Sequence, residues 1–404
     1  MSDDPEVTGR GAAAERTGQR ALPAPPAAIE RWELSGGTVR VARVGDAAAA
    51  VELLRCDGGE VVETLTLRDP GEVRWARARR AAEGAAMTNG SQTSWAAALG
   101  LAAPVVCAPM GGVAGGALAS AVSRAGALGT IGMGSAGSVA ALERELGLLD
   151  TGGRPFGIGL VAWGIERDPA MLDRALAAVP ALVSVSFGDW EGEDPQPGWI
   201  AAVQAAGALA VTQVATVAEA RRAADAGVDA VVARGLEGGG HGDHREPRDA
   251  LRAAVVAAAD VPVLAAGAVS TAEDLARVLD AGAAAAWVGT AFAACDEALT
   301  GEAARAALLD ADGADTVVSR VLDVALERPW PSRFPERLLR TPFVDRWQGR
   351  EDELAADAEA RAGFRAAVAV GDYSVVPLDA GEGVGSLTAV RPAAEVVAAL
   401  AALP

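Results

Sequence analysis

Few residues in this chain can carry chemistry. The sequence holds only two histidines, and both sit in one glycine-dense run after Arg234, Gly235-Leu-Glu-Gly-Gly-Gly-His241-Gly-Asp-His244. An imidazole titrates near neutrality, so His241 is a candidate general base. The flanking Gly239 and Gly240 let a ligand approach the backbone closely. The plain alternative is a structural or solvated histidine. Arg234 has two readings as well: it stabilises an anion formed beside it, or it pairs with Glu237 in the loop. His241 and His244 do not make a metal site, because further ligands at helix or strand spacing are lacking; no metal is expected.

Three other runs have the composition of ligand loops: Ala108-Pro109-Met110-Gly111-Gly112, Ala265-Ala-Gly267-Ala268, and Gly289-Thr290. In the last two, glycine brings backbone N–H groups close to phosphate oxygens, and the Thr290 hydroxyl adds a donor. Each glycine alone reads equally well as a tight turn; on adjacent strands they favour phosphate. Cys107 reads as a small buried hydrophobe rather than a nucleophile, and no Gly-x-Ser-x-Gly elbow is present. All 35 basic residues are arginine. Without lysine, Schiff-base aldolases, pyridoxal-phosphate enzymes and Walker-type nucleotide hydrolases are excluded.

The elements that must position these loops recur regularly. Apolar runs start near Pro104, Leu128, Phe156, Leu182, Ala208, Ala230, Val263 and Ala285, 22 to 33 residues apart, the size of a βα unit. Between them Thr216-x-x-Glu219 and Ser270-x-x-Glu273 read as capping boxes, and Gly126, Gly207, Gly227 and Gly282 as left-handed helix ends. Apolar rather than alternating strands imply a sheet covered on both faces. The expected fold is a (β/α)8 TIM barrel, with a doubly wound sheet as the runner-up. In a barrel the four loops fall at the C-terminal strand ends, where barrel enzymes work.

Residues 1–30 read as a disordered arm. Residues 31–86 read as a small α+β module, a β-meander plus a helix, whose role is not legible. Residues 87–404 read as the barrel, with a helical insertion over about 300–370 that covers the mouth and a closing helix at PAAEVVAALAALP. Trp163, Trp190, Trp330 and Trp347 are candidates to narrow that mouth or to pack. The net charge of −19 and the lack of a basic stripe argue against nucleic acid. Residues 95–123 are uncharged, but Pro104, Pro109 and paired glycines oppose a membrane span. Cys56, Cys107 and Cys295 lack metal or disulfide spacing, and the N-terminus lacks a leader pattern, so a cytoplasmic location is expected. Oligomeric state has no sequence signal.

Taken in order, APMGG, GLEGGGHGDH, PVLAAGAVS and WVGTAF resemble the nitronate monooxygenase family, over roughly Ala103 to Ala298. The resemblance implies a barrel holding FMN non-covalently. Pro109, Met110 and Gly111 would border the flavin ring, and Gly239 and Gly240 would line the middle loop. Gly267, Ala268, Gly289 and Thr290 would hold the phosphate, and His241 matches the family's active-site histidine. The partners would be a small nitronate and oxygen. The chain departs from the pattern at Cys107 and Arg234, where the family often has Gln, at Gly159, where it has Asn, at Gly238, where it has Ala, and at Ala268, where it has a second glycine. The flavin-dependent, NAD(P)H-using enoyl-acyl-carrier-protein reductases share the histidine loop and stand as the alternative enzyme. A non-catalytic flavin-binding protein is the alternative from another class.

Overall fold

The computed structural model describes residues 25–44, 48–55, 61–77, 79, 92–190 and 197–402. The chain divides into two units, one ending at Arg80 and one beginning at Ala81. In the first unit, β1 (Thr38–Val44), β2 (Ala49–Leu54) and β3 (Val61–Leu67) form an antiparallel meander. The inward residues Val41, Val51, Leu53 and Leu67 pack with Ile29 and Trp75. Ile29 lies on a helix, Ala27–Leu34, so ordered structure begins inside the segment expected to be an arm up to residue 30. Burial of that one isoleucine within an amphipathic turn outweighs the Pro- and Ala-rich composition ahead of it. Most of the expected arm, Cys56 and most of the AAEGAAMTNGSQ linker lie outside the described residues.

The second unit is a TIM barrel. Its strands are β4 (Val105–Cys107), β5 (Gly129–Gly132), β6 (Phe156–Val161), β7 (Leu182–Ser186), β8 (Leu209–Val214), β9 (Ala230–Arg234), β11 (Val263–Ala266) and β12 (Ala285–Val288), and neighbours pair in parallel in that order. The ring closes between β4 and β5: Leu128 N–H donates to Val105 and Leu128 O accepts from Cys107 N–H, both at 2.9 Å. Closure excludes the doubly wound sheet. Gly126, Gly207, Gly227 and Gly282 all have positive φ at helix ends. Thr216 caps the helix Val217–Ala226 through Glu219 N–H, as expected. The second cap falls one residue later than expected, on Thr271 with Asp274 as its partner. Thr and Asp can cap as well as Ser and Glu, and the one-residue shift places Leu275, Val278 and Leu279 inward.

Side-chain alternation along the strands builds the barrel interior in layers. Leu128, Leu182, Val211, Val232 and Leu264 form an apolar lower layer plugged by Trp95 of the helix Gln92–Ala98. Each fully buried Val or Leu there contributes roughly 1.5–3 kcal/mol. Two residues further along, the inward positions become polar: Ser184 and Ser186 on β7, Gln213 on β8 and Arg234 on β9 all border a cavity at the C-terminal end. The switch from apolar to polar along the strands makes the barrel mouth a site.

After β12 comes a short helix, Thr290–Ala293, then an excursion back to the helix Ala393–Ala401. That last helix buries Ala393, Val397 and Leu400 against Leu118, Val122 and Leu275 and so completes the outer ring. The excursion was expected to be helical, but it contains two strands as well, β13 (Thr316–Ser319) and β14 (Glu336–Leu339). They form an antiparallel sheet with β10 (Gly240–His241). Runs of four residues beside prolines and charges give no period to read. Among the described residues, no helix is long and apolar enough to cross a membrane.

Candidate active site

Arg234 is the last inward residue of β9, and the loop after it is folded around its guanidinium. Its Nη2 donates to the carbonyls of Gly238, Gly239 and Gly240 at 3.1, 2.7 and 2.9 Å. Burial lowers its pKa to about 10, against the pull of Asp379, which leaves it protonated at neutral pH. A side chain at Gly242 would overlap the guanidinium. The expected pairing with Glu237 is not made; Glu237 accepts instead from the N–H of Arg248 at 2.8 Å. A cation surrounded by carbonyls has no need of a carboxylate partner.

His244 lies between two carbonyls of the same loop, with Nδ1 3.1 Å from Leu236 O and Nε2 3.1 Å from Gly240 O. Burial, then the Arg234 charge, lowers its pKa to about 3, so it is a neutral brace for the loop.

His241 is built differently. The pairing of β10 with β14 sets it directly opposite Glu336. Its ring stacks on Trp330 at 3.7 Å and 10°, and Nε2 lies 2.9 Å from Asp323 Oδ2 and 3.6 Å from Glu336 Oε2. A carboxylate accepts, so this contact assigns a proton to Nε2 and leaves Nδ1 as the ring nitrogen without a carboxylate partner. Among the described residues Nδ1 has no hydrogen-bond partner, and the ring borders the cavity. Burial first, then Asp379 and Asp323, push the carboxyl of Glu336 well above the usual carboxylate range. Atoms of metal-ligating type from His241, Glu336 and Asp379 lie within 4.8 Å of one another. Arg328 Nη1, 3.7 Å from Glu336, already supplies positive charge there.

The turns after β11 and β12 border the same mouth. Arg248 Nη1 donates to the carbonyls of Gly267 at 2.8 Å and Ala268 at 3.1 Å, holding these oxygens on its own side. Among the described residues, the N–H groups of Gly267, Ala268, Gly289 and Thr290 donate to nothing. A Cβ on Gly289 would meet only Met110 Sδ at 3.4 Å and Ala108 at 3.7 Å, so the protein leaves the space open. The Thr290 hydroxyl accepts from Gly381 N–H at 3.0 Å and keeps its own proton to donate. These open donors around an unfilled cradle fit a phosphate.

Pro109, Met110 and Gly111 border the same cavity, of about 550 Å³, which is also lined by Arg234, Gly239, Gly240, His241, Gly267, Ala268, Gly289 and Thr290. The structure therefore brings together every site residue expected from sequence. A Cβ at Gly159 would overlap the Pro109 ring, so this backbone has no room for a side chain at Gly159. Cys107 is fully buried, and burial pushes its thiol up, away from nucleophilic use.

Sequence reasoning missed Asp323, Arg328, Glu336, Asp379 and Arg248. The glycine-rich run Asp379-Ala-Gly-Glu-Gly was the available signal for one of them. Of the four tryptophans, Trp330 alone borders the cavity; Trp163 packs edge-on against Trp330, with ring centroids 5.4 Å apart. Trp190 is in the barrel core, and Trp347 lies in a separate cluster with Phe364. Phe187, also missed, packs on Trp330 at 4.8 Å with a positive φ of 67°. Such backbone conformations cluster at working sites.

The chain is similar in sequence and fold to known proteins. A family model described as nitronate monooxygenase matches residues 93–402. A nitronate monooxygenase of Pseudomonas aeruginosa is 34% identical over 284 residues, covering 58% of this chain and 79% of that protein. Among solved structures, FabK from Thermotoga maritima matches with a TM-score of 0.62 and 26% identity, over 76% of this chain and 94% of that one. Nitroalkane oxidase from Streptomyces ansochromogenes matches with a TM-score of 0.59 and 30% identity, over 76% and 97%. The family match spans the barrel, the loops at its mouth and the excursion that carries Asp323 and Glu336, and this chain belongs to the nitronate monooxygenase family.

Proposed function

We propose that the protein is an FMN-dependent oxidoreductase that oxidises alkyl nitronates with molecular oxygen. One observation carries this reading: a single cavity joins a cradle of open N–H donors at Gly267, Ala268, Gly289 and Thr290 to a histidine whose far nitrogen is held by a carboxylate. The cradle would take the FMN phosphate, with Pro109, Met110 and Gly111 beside the ring. When bound, FMN supplies the two-electron acceptor and the centre at which oxygen is reduced. The chain supplies the rest. Arg234 keeps a full positive charge behind the glycine loop, which favours negative charge in the cavity. Asp323 fixes the imidazole so that Nδ1 faces the substrate as a base, which a neutral nitroalkane requires and a preformed nitronate does not. Trp330 holds the ring in plane and excludes water from that side.

The likeness to FabK supports a second reading, an enoyl-thioester reductase fed by NAD(P)H. An absorption spectrum of the purified protein tests for flavin. Anaerobic mixing then separates the readings: propane-2-nitronate bleaches the flavin under the first, NAD(P)H bleaches it under the second, and a protein that responds to neither is a flavin binder.

A further inference from the structure

Immediately after Glu327, which ends the helix Val321–Leu326 in a left-handed conformation with φ 54°, Arg328 stands on the cavity wall. Its Nη1 lies 3.7 Å from Glu336 and 4.0 Å from Asp323, both longer than a hydrogen bond. Among the described residues its guanidinium makes no hydrogen bond, and its side chain is 34% exposed. The two acids beneath it do not use it fully. Glu336 is buried, and that burial and the neighbouring acids push its carboxyl well above the usual carboxylate range, while Asp323 gives Oδ2 to His241. A guanidinium has five donors in a flat fork that matches paired oxygens. Trp330, two residues on, stacks against His241, so one short turn fixes the cation, the aromatic wall and the base together.

We infer that Arg328 is the specificity-determining residue that binds the paired, negatively charged oxygens of the substrate. The inference rests on the nitronate reading above and deepens it: the preferred substrate is a planar oxyanion, and a neutral compound of the same shape gains nothing from this contact. If Arg328 only neutralised the acid pair, its removal would alter stability without regard to substrate charge.

The test uses the full-length, flavin-loaded protein and its R328Q and R328K variants. With propane-2-nitronate, R328Q raises KM by about 10- to 100-fold, as expected for losing a charge-assisted pair of hydrogen bonds. Its kcat changes less than its KM, and R328K recovers part of the loss. Nitrate, a planar oxyanion that cannot donate electrons here, binds the wild type in calorimetry, competes with the nitronate, and binds R328Q at least about tenfold more weakly. An unchanged KM together with unchanged nitrate affinity in R328Q overturns the inference. If R328Q does not fold, failure of nitrate to compete in the wild type overturns it instead. If the wild type does not oxidise nitronates, the functional reading fails separately, and Arg328-dependent nitrate binding alone decides this one.

Discussion

At one end of the cavity Gly267, Ala268, Gly289 and Thr290 offer peptide N–H groups from two short turns. Another part of its wall is His241 and Arg328, backed by Asp323 and Glu336, side chains gathered from three separate segments. The first end is made of backbone: its donors exist whatever the side chains are, provided the side chains are small enough to let a ligand in. The second is made of ionisable side chains, and there burial and neighbouring acids push the Glu336 carboxyl well above its ordinary range. A substitution at the backbone end should therefore change whether the cofactor stays, and one at the side-chain end should change what is done with it.

The largest expected effect is at the charged end. His241→Asn should lower turnover of a neutral nitroalkane about 10²- to 10⁴-fold while leaving nitronate oxidation comparatively intact. Equal, undiminished rates on both substrates in a flavin-loaded variant would remove the base from the comparison. Next is Gly289→Val, which should weaken FMN binding by at least about 10²-fold through loss of charge-assisted N–H contacts. The apoprotein should stay folded, since a Cβ there meets only Met110 and Ala108 at ordinary distances. Fluorescence titration with FMN decides it, and normal affinity would mean the phosphate lies elsewhere.

A subtler contrast concerns pH. Glu336 has a raised pKa in the folded state, so the folded protein holds its proton more tightly than the unfolded chain. Stability is then greatest below the unfolded value and falls as pH rises from there through the folded pKa. Glu336→Gln, which mimics the protonated form, should flatten melting temperature against pH and exceed the wild type increasingly above about pH 4.5, the ordinary value of a free Glu. A wild-type slope persisting in the variant would place the burden on another group.

The smallest effect is at the backbone end. Ala268 has a left-handed φ of 48°, a conformation that costs a non-glycine residue roughly 1–2 kcal/mol. Ala268→Gly should stabilise the protein by up to about 1 kcal/mol after the entropy cost of glycine, seen as a small rise in melting temperature.

The same division explains what could be read in the sequence. Barrel strands announced themselves because strands covered on both faces are unbroken apolar runs, and the expected starts fall within one residue of β4, β5, β8 and the others. The backbone end was legible too, since glycine before a helix start is a local signal. The charged end was not. Asp323 and Glu336 look in sequence like ordinary surface acids; pairing with a two-residue strand sets Glu336 opposite His241, and the helix Val321–Leu326 brings Asp323 to the same ring. Burial, not residue type, gives them their role, and burial is a property of the assembled chain.

That pairing also bears on when the site comes into being. His241 and Asp323 are 82 residues apart, and the loop that carries His241 has its strand partner in the excursion beyond β12. Bringing such distant segments together costs closure entropy that only the near-complete barrel can offset. During synthesis, then, the turns after β11 and β12 are made before Asp323 and Glu336 are available. A chain halted at that stage lacks the carboxylate that orients His241 and also the Gly381 N–H that holds Thr290, so the site is completed only by the last segments made.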